Sequence, residues 1–155
     1  MDGDERRLSS DRSGRGPSVD LDALRDCLDA YPLSIAVVFG STVQGTATQF
    51  SDLDVGVVFE SSVEQSRRVR LIGSITATIS AEMNWDAVDV VDLERASPSI
   101  AYNALSTGIL VVGTEPEAAE LEAKHLRRKL DFAPVKREWQ AALDCRLAEG
   151  SYGRS

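Results

Sequence analysis

Two aspartates separated by one residue, Asp52 and Asp54, open the run Asp52-Leu53-Asp54-Val55. If that run is a strand, both carboxylates leave one face while Leu53, Val55, Val57 and Phe59 leave the other. Two such acids repel unless a cation neutralises them, and their hard oxygen donors suit Mg²⁺. Upstream, Phe39-Gly40-Ser41 carries a β-branched run into a Gly-Ser turn at a helix start. Free backbone N–H groups there, with the Ser41 hydroxyl, can hold a phosphate. The interval from Gly40 to Gly45 matches the opening of a P-loop, but a P-loop needs lysine next and Thr46 follows instead, so that reading fails. Acids at a strand start are often plain turn chemistry, and the nearby Gly-Ser turn weighs against that alternative. A third acid must complete the metal set and polarise an attacking hydroxyl. Asp86-Ala87-Val88-Asp89-Val90-Val91-Asp92 offers three candidates. Asp89 is expected mid-strand between apolar neighbours, where a carboxylate without a metal is costly, with Asp86 and Asp92 at the solvated ends.

The elements that must position these residues are legible from periodicity. Leu21, Leu24 and Leu28 mark a short amphipathic helix that Pro32 ends. Residues 34–39, 52–59 and 87–91 read as three strands, and 109–112 as a fourth. Leu71, Ile72, Ile75, Ile79 and Met83 recur at helical spacing between the second and third strands. Ser97-Pro98 starts another helix and Gly108 stops it. Thr114 with Glu117 forms a capping box that opens a helix toward Leu130, and Val135, Trp139, Ala142, Leu143 and Leu147 mark a separate last helix. The sum is an α/β fold with a small mixed sheet of three to four strands flanked by helices.

Composition narrows the classes. At 155 residues, 43% hydrophobic and 27% charged, the chain suits one domain, and it holds no apolar run long enough to cross a bilayer. Residues 1–18, rich in glycine, serine and cancelling charges, read as a disordered arm; 19–148 form the domain, and 149–155 a flexible tail. The arm also lacks the apolar core of a secretory leader, so a cytoplasmic location is expected. Cys27 and Cys145 stand apart from each other and from any His/Cys cluster, which implies reduced thiols rather than a zinc site or disulfide. A net charge of −8 argues against broad nucleic-acid binding. Against that background Lys124 to Arg137 concentrates Lys124, Arg127, Arg128, Lys129, Lys136 and Arg137. The run, His125 included, is expected to be a solvated helix face, and it offers a docking surface for an acidic partner.

Gly40-Ser41, then Gly45, then Ser51-Asp52-Leu53-Asp54, then the apolar-Asp-apolar strand at Asp89, resemble the polymerase-beta nucleotidyltransferase superfamily, in particular its minimal nucleotidyltransferases. The resemblance runs from about Leu21 to Leu147. It implies a polymerase-beta-like fold in which Gly40 and Ser41 bind the triphosphate, Asp52 and Asp54 bridge two Mg²⁺ ions and Asp89 binds the catalytic ion. The implied reaction transfers AMP from ATP to a hydroxyl with loss of pyrophosphate. Small members of that group act as antitoxins that modify a tyrosine of a HEPN-type ribonuclease toxin, so the resemblance implies such a toxin as partner, in a homo- or hetero-oligomer. Gln44 departs from the pattern, because many relatives carry arginine there. That departure sets out one alternative, an antitoxin acting by binding alone; a small-molecule, aminoglycoside-type nucleotidyltransferase is the other.

Overall fold

The computed structural model describes residues 18–45 and 52–148, with side chains as far as Asp131. The expected N-terminal arm, Ser18 apart, and the C-terminal tail lie outside the described residues. The first helix, α1 (Leu21–Asp29), is capped by Asp20, whose side chain accepts from the Ala23 N–H at 3.1 Å. It buries Leu24, Cys27 and Leu28. Strand β1 (Leu33–Phe39) runs into the one-turn helix α2 (Ser41–Gln44), which Gly45 closes in the left-handed conformation. Strand β2 (Leu53–Phe59) pairs antiparallel with β1, so that Phe39 lies opposite Asp54.

Helix α3 (Gln65–Met83) then crosses over to β3 (Val88–Asp92), which lies parallel to β2. Helix α4 (Pro98–Thr107) has the expected start and stop. The Ile100 N–H donates to Ser97 Oγ at 3.3 Å, and the Gly108 N–H closes onto the Ala104 carbonyl at 2.9 Å. Strand β4 (Ile109–Val112) returns antiparallel to β1, giving the sheet order β3-β2-β1-β4.

Both faces of this sheet are covered, which explains why β1 and β2 read as nearly continuous apolar runs rather than alternating ones. Leu53, Val55, Val57 and Phe59 pack with Leu24, Leu28, Ile75 and Ile79 from α1 and α3. On the opposite face Ile35, Val37, Val58 and Leu93 pack with Ala101, Ala104 and Leu105 from α4, and Leu121 joins them. The mixed four-stranded sheet flanked by helices is the architecture expected from the pattern.

The C-terminal region differs from expectation. A single helix, α5 (Glu115–Ala148), replaces the two expected helices. Its capping box forms as read, with Glu117 N–H to Thr114 Oγ1 and Thr114 N–H to Glu117 Oε2, each at 3.4 Å. No glycine or turn-forming pair separates the two periodic segments. The proline between them, Pro134, removes one backbone donor without ending the helix.

Within α5 the basic run is also not uniformly solvated. Lys124, Arg127, Arg128 and Lys129 are exposed as expected, but His125 is only 2% exposed. It sits at helical spacing from the buried Ala118 and half-buried Leu121, and so follows the core-facing stripe of its helix. Among the described residues no helix is long and apolar enough to cross a membrane.

Candidate active site

The Gly-Ser turn and the acids meet at one end of the sheet because β1 ends where β2 begins. Gly40 adopts φ 82°, ψ −157°, a backbone conformation open essentially to glycine alone. Its missing side chain matters twice, since a Cβ there would overlap the Asp54 carboxylate. The Gly40 carbonyl accepts from the Val43 and Gln44 N–H groups at 3.2 and 3.1 Å, which starts α2. Ser41 is the first residue of that turn and is half-buried; the Oγ1 of Thr42 behind it is buried without a hydrogen-bond partner among the described residues. Gln44 is exposed.

The parallel register of β2 and β3 sets Asp54 directly beside Asp89, and both leave the sheet on the same face. Asp52, one residue before β2, is exposed. The Asp54 carboxyl is held above the ordinary carboxylate range, first by burial, then by the negative charges of Asp89 and Asp52. The three expected acids are thus electrostatic neighbours. Among the described residues, however, no three acidic, histidine or cysteine side chains already converge at metal-ligating distance. The donor set still fits a hard divalent cation, because the carboxylates are oxygen donors and the charges of Asp89 and Asp52, which add to burial in raising Asp54, are what a cation would offset.

On the third strand Asp89 and Asp92 reverse the expected burial, while Asp86 keeps it. Asp89 is exposed, and so is Asp86. Asp92, expected at a solvated end, is only 6% exposed on the α3 face of the sheet. Alternation puts Asp92 with Val88 and Val90 and turns Asp89 the other way. Its carboxylate faces Arg68 Nη1 at 3.6 Å and accepts from the Glu94 N–H at 3.0 Å. Arg68 also donates to Glu94 Oε2 at 2.7 Å and lies over the Phe59 ring, 5.7 Å from its centroid. This network belongs to the core between α3 and β3, and sequence reasoning missed it. The signal available was a lone arginine in line with Ile72, Ile75 and Ile79 on the inner face of α3.

A cleft of about 360 Å³ between α5 and the sheet is lined by Ser34, Ile35, Val58, Leu121, Lys124 and Arg127. It lies by the start of β1 and the end of β2, at the opposite end of these strands from Gly40 and Asp54.

A glycine turn feeding a one-turn helix thus lies beside carboxylates on two adjacent parallel strands of a small mixed sheet. A family model described as Polymerase beta, Nucleotidyltransferase matches residues 23–117, and the chain belongs to that family. Among curated proteins it is similar to the protein adenylyltransferase MntA of Shewanella oneidensis, at 25% identity over 112 residues, covering 72% of this chain and 75% of that protein. Among solved structures it resembles a chain from a toxin-antitoxin crystal structure with AMP-PNP, at TM-score 0.66 and 21% identity, covering 83% of this chain and 99% of that one. It also resembles a chain from the complex of a tri-AMPylated Shewanella oneidensis HEPN toxin with an MNT antitoxin, at TM-score 0.52 and 23% identity, covering 82% and 92%. At these identities the structural matches speak for the fold.

Proposed function

We propose that this nucleotidyltransferase moves AMP from ATP onto a tyrosine hydroxyl of a HEPN-type ribonuclease toxin and thereby acts as its antitoxin. The observation that carries the reading is the register pairing of Asp54 with Asp89 next to the Gly40 turn. Supporting it are the family membership, the likeness to a protein adenylyltransferase and the likeness of the fold to chains from toxin-antitoxin structures.

Asp52, Asp54 and Asp89 would hold Mg²⁺, which when bound supplies neutralisation of the triphosphate and of the charge developed in transfer. The bare backbone at Gly40 lets phosphate oxygens approach the turn, and the Ser41 hydroxyl and N–H donate to them. Asp89, exposed on its strand, faces the incoming acceptor and takes the hydroxyl proton at its carboxylate. The acceptor oxygen forms its bond to the α-phosphorus as the bond to the bridging oxygen breaks, and pyrophosphate leaves with that electron pair. An added phosphodiester anion near an RNA-binding surface then repels the substrate backbone.

The test is incubation of the chain with a purified HEPN toxin, α-labelled ATP and Mg²⁺, followed by mass-spectrometric location of the label. The expected result is AMP on a toxin tyrosine, lost with the Asp52→Asn, Asp54→Asn double variant. Silencing of the nuclease without label, equally strong with that variant, would overturn the reading in favour of binding alone.

A further inference from the structure

The sheet has two edges, and the chain treats them differently. On one, the Arg25 side chain of α1 donates from Nε to the Val111 carbonyl of edge strand β4 at 3.0 Å, blunting it. On the other, β3 is outermost, and among the described residues no further strand pairs with it.

The orientation of its backbone follows from the parallel ladder. The Ala87 carbonyl accepts from the Leu53 N–H, and the Leu93 N–H donates to the Val57 carbonyl, both at 2.9 Å. Alternate residues of a parallel strand turn to the same neighbour, so Asp89 and Val91 also address β2, while Val88 and Val90 point their N–H and C=O groups outward. Such a row is a template for a further strand.

This open edge carries the acid site. Asp89 lies on β3 itself, exposed, on the face it shares with Asp54. A strand added along β3 would lie about 4.8 Å away and bring a residue alongside Asp89 with its side chain on that same face. Of the two edges, the one that carries Asp89 is β3, with which no further strand pairs among the described residues. Resting on the transferase reading above, we infer that the acceptor protein presents its hydroxyl-bearing segment as an extended strand paired to the outer edge of β3. Recognition is then mainly through the main chain, which fixes the reacting side chain in register with Asp89 and leaves the flanking sequence free to vary.

The pairing leaves a signature that other docking modes do not. In residue-resolved hydrogen exchange of the full chain with a HEPN toxin, the Val88 and Val90 amides slow on complex formation. Those of Asp89 and Val91, already bonded to β2, change little. A second arm uses Val88→Pro, which removes one outward donor at the first residue of the strand and spares the β2 ladder. It raises the acceptor KM about tenfold, the scale of one lost hydrogen bond, with kcat and ATP affinity unchanged.

Labelling of the toxin with no change at Val88 and Val90 would overturn the edge proposal and leave the transferase reading standing. Protection of the same amides in the chain alone, rising with its concentration, would assign the edge to a second copy and overturn it too. Loss of ATP binding in the parent chain would instead remove the transferase reading.

Discussion

At the scale of single residues, the site stores a conflict. Burial, then the neighbouring charges of Asp89 and Asp52, all resist the charged form of the Asp54 carboxyl. Because its native pKa is raised, the contribution to stability is fully present below the unfolded value of 3.8 and is lost as pH rises through the native value. Asp54→Asn should therefore stabilise the metal-free protein at pH 7, by up to about 1 kcal/mol given partial solvation, while abolishing transfer. Thermal unfolding in chelator, set beside an activity assay, checks both halves, and a destabilised variant would contradict the charge conflict. Gly40→Ala should act in the opposite sense. Forcing a Cβ into a glycine-only conformation and against the Asp54 carboxylate costs about 1–3 kcal/mol and disrupts the phosphate turn, so stability and ATP affinity fall together in denaturant titration and calorimetry.

At the scale of elements, the third strand and the last helix separate what the sequence made legible from what it did not. The period-two rule puts Asp52 and Asp54 on one face and singles out Asp89 by parity; the register of β2 and β3 sets Asp89 beside Asp54, while Asp52 lies just before the strand. Burial does not follow from position along the strand, because a strand end need not meet solvent. Asp92 ends its strand beneath α3, where Arg68 meets it, and the position of a neighbouring helix is not written in a strand's own pattern. Asp92→Asn should consequently keep transfer activity. Arg68→Met should destabilise the fold by about 2–4 kcal/mol, because it leaves a buried carboxylate without its partner.

The same lesson holds for His125, read as part of a basic face. Both its ring nitrogens are buried without a hydrogen-bond partner among the described residues. Its pKa is lowered from 6.5 first by burial, then by Arg128 and Lys124, against a smaller opposing pull from Glu94. A depressed histidine is protonated more readily in the unfolded chain, so stability is full above pH 6.5 and declines as pH falls toward the native value. In urea unfolding across that range, His125→Leu should flatten the decline and raise stability near neutral pH by about 1 kcal/mol. An unchanged pH slope would place the titration elsewhere.

At the scale of the whole molecule, charge is distributed against its mean. The chain carries −8, yet Lys124, Arg127, Arg128 and Lys129 are exposed along one stretch of α5, with Lys129 over the Tyr102 ring at 5.0 Å and Leu130 60% exposed next to it. Within that stretch the buried His125 feels the charge of Glu94, two residues beyond β3. A partner strand on the β3 edge would therefore approach with the basic stretch nearby. Charges on the rim of an interface chiefly govern how often partners meet, whereas main-chain pairing at its centre governs how long they stay. Replacing Lys124, Arg127 and Arg128 by glutamine should lower the association rate with a HEPN toxin by about tenfold at low salt and remove most of its salt dependence. The dissociation rate and ATP affinity should change little, because these side chains lie on α5, away from the turn at Gly40. Stopped-flow association at several ionic strengths separates the two effects. A parent chain whose association rate ignores salt would show that the basic stretch does not face the toxin, and a variant that loses ATP affinity would tie the stretch to the nucleotide instead.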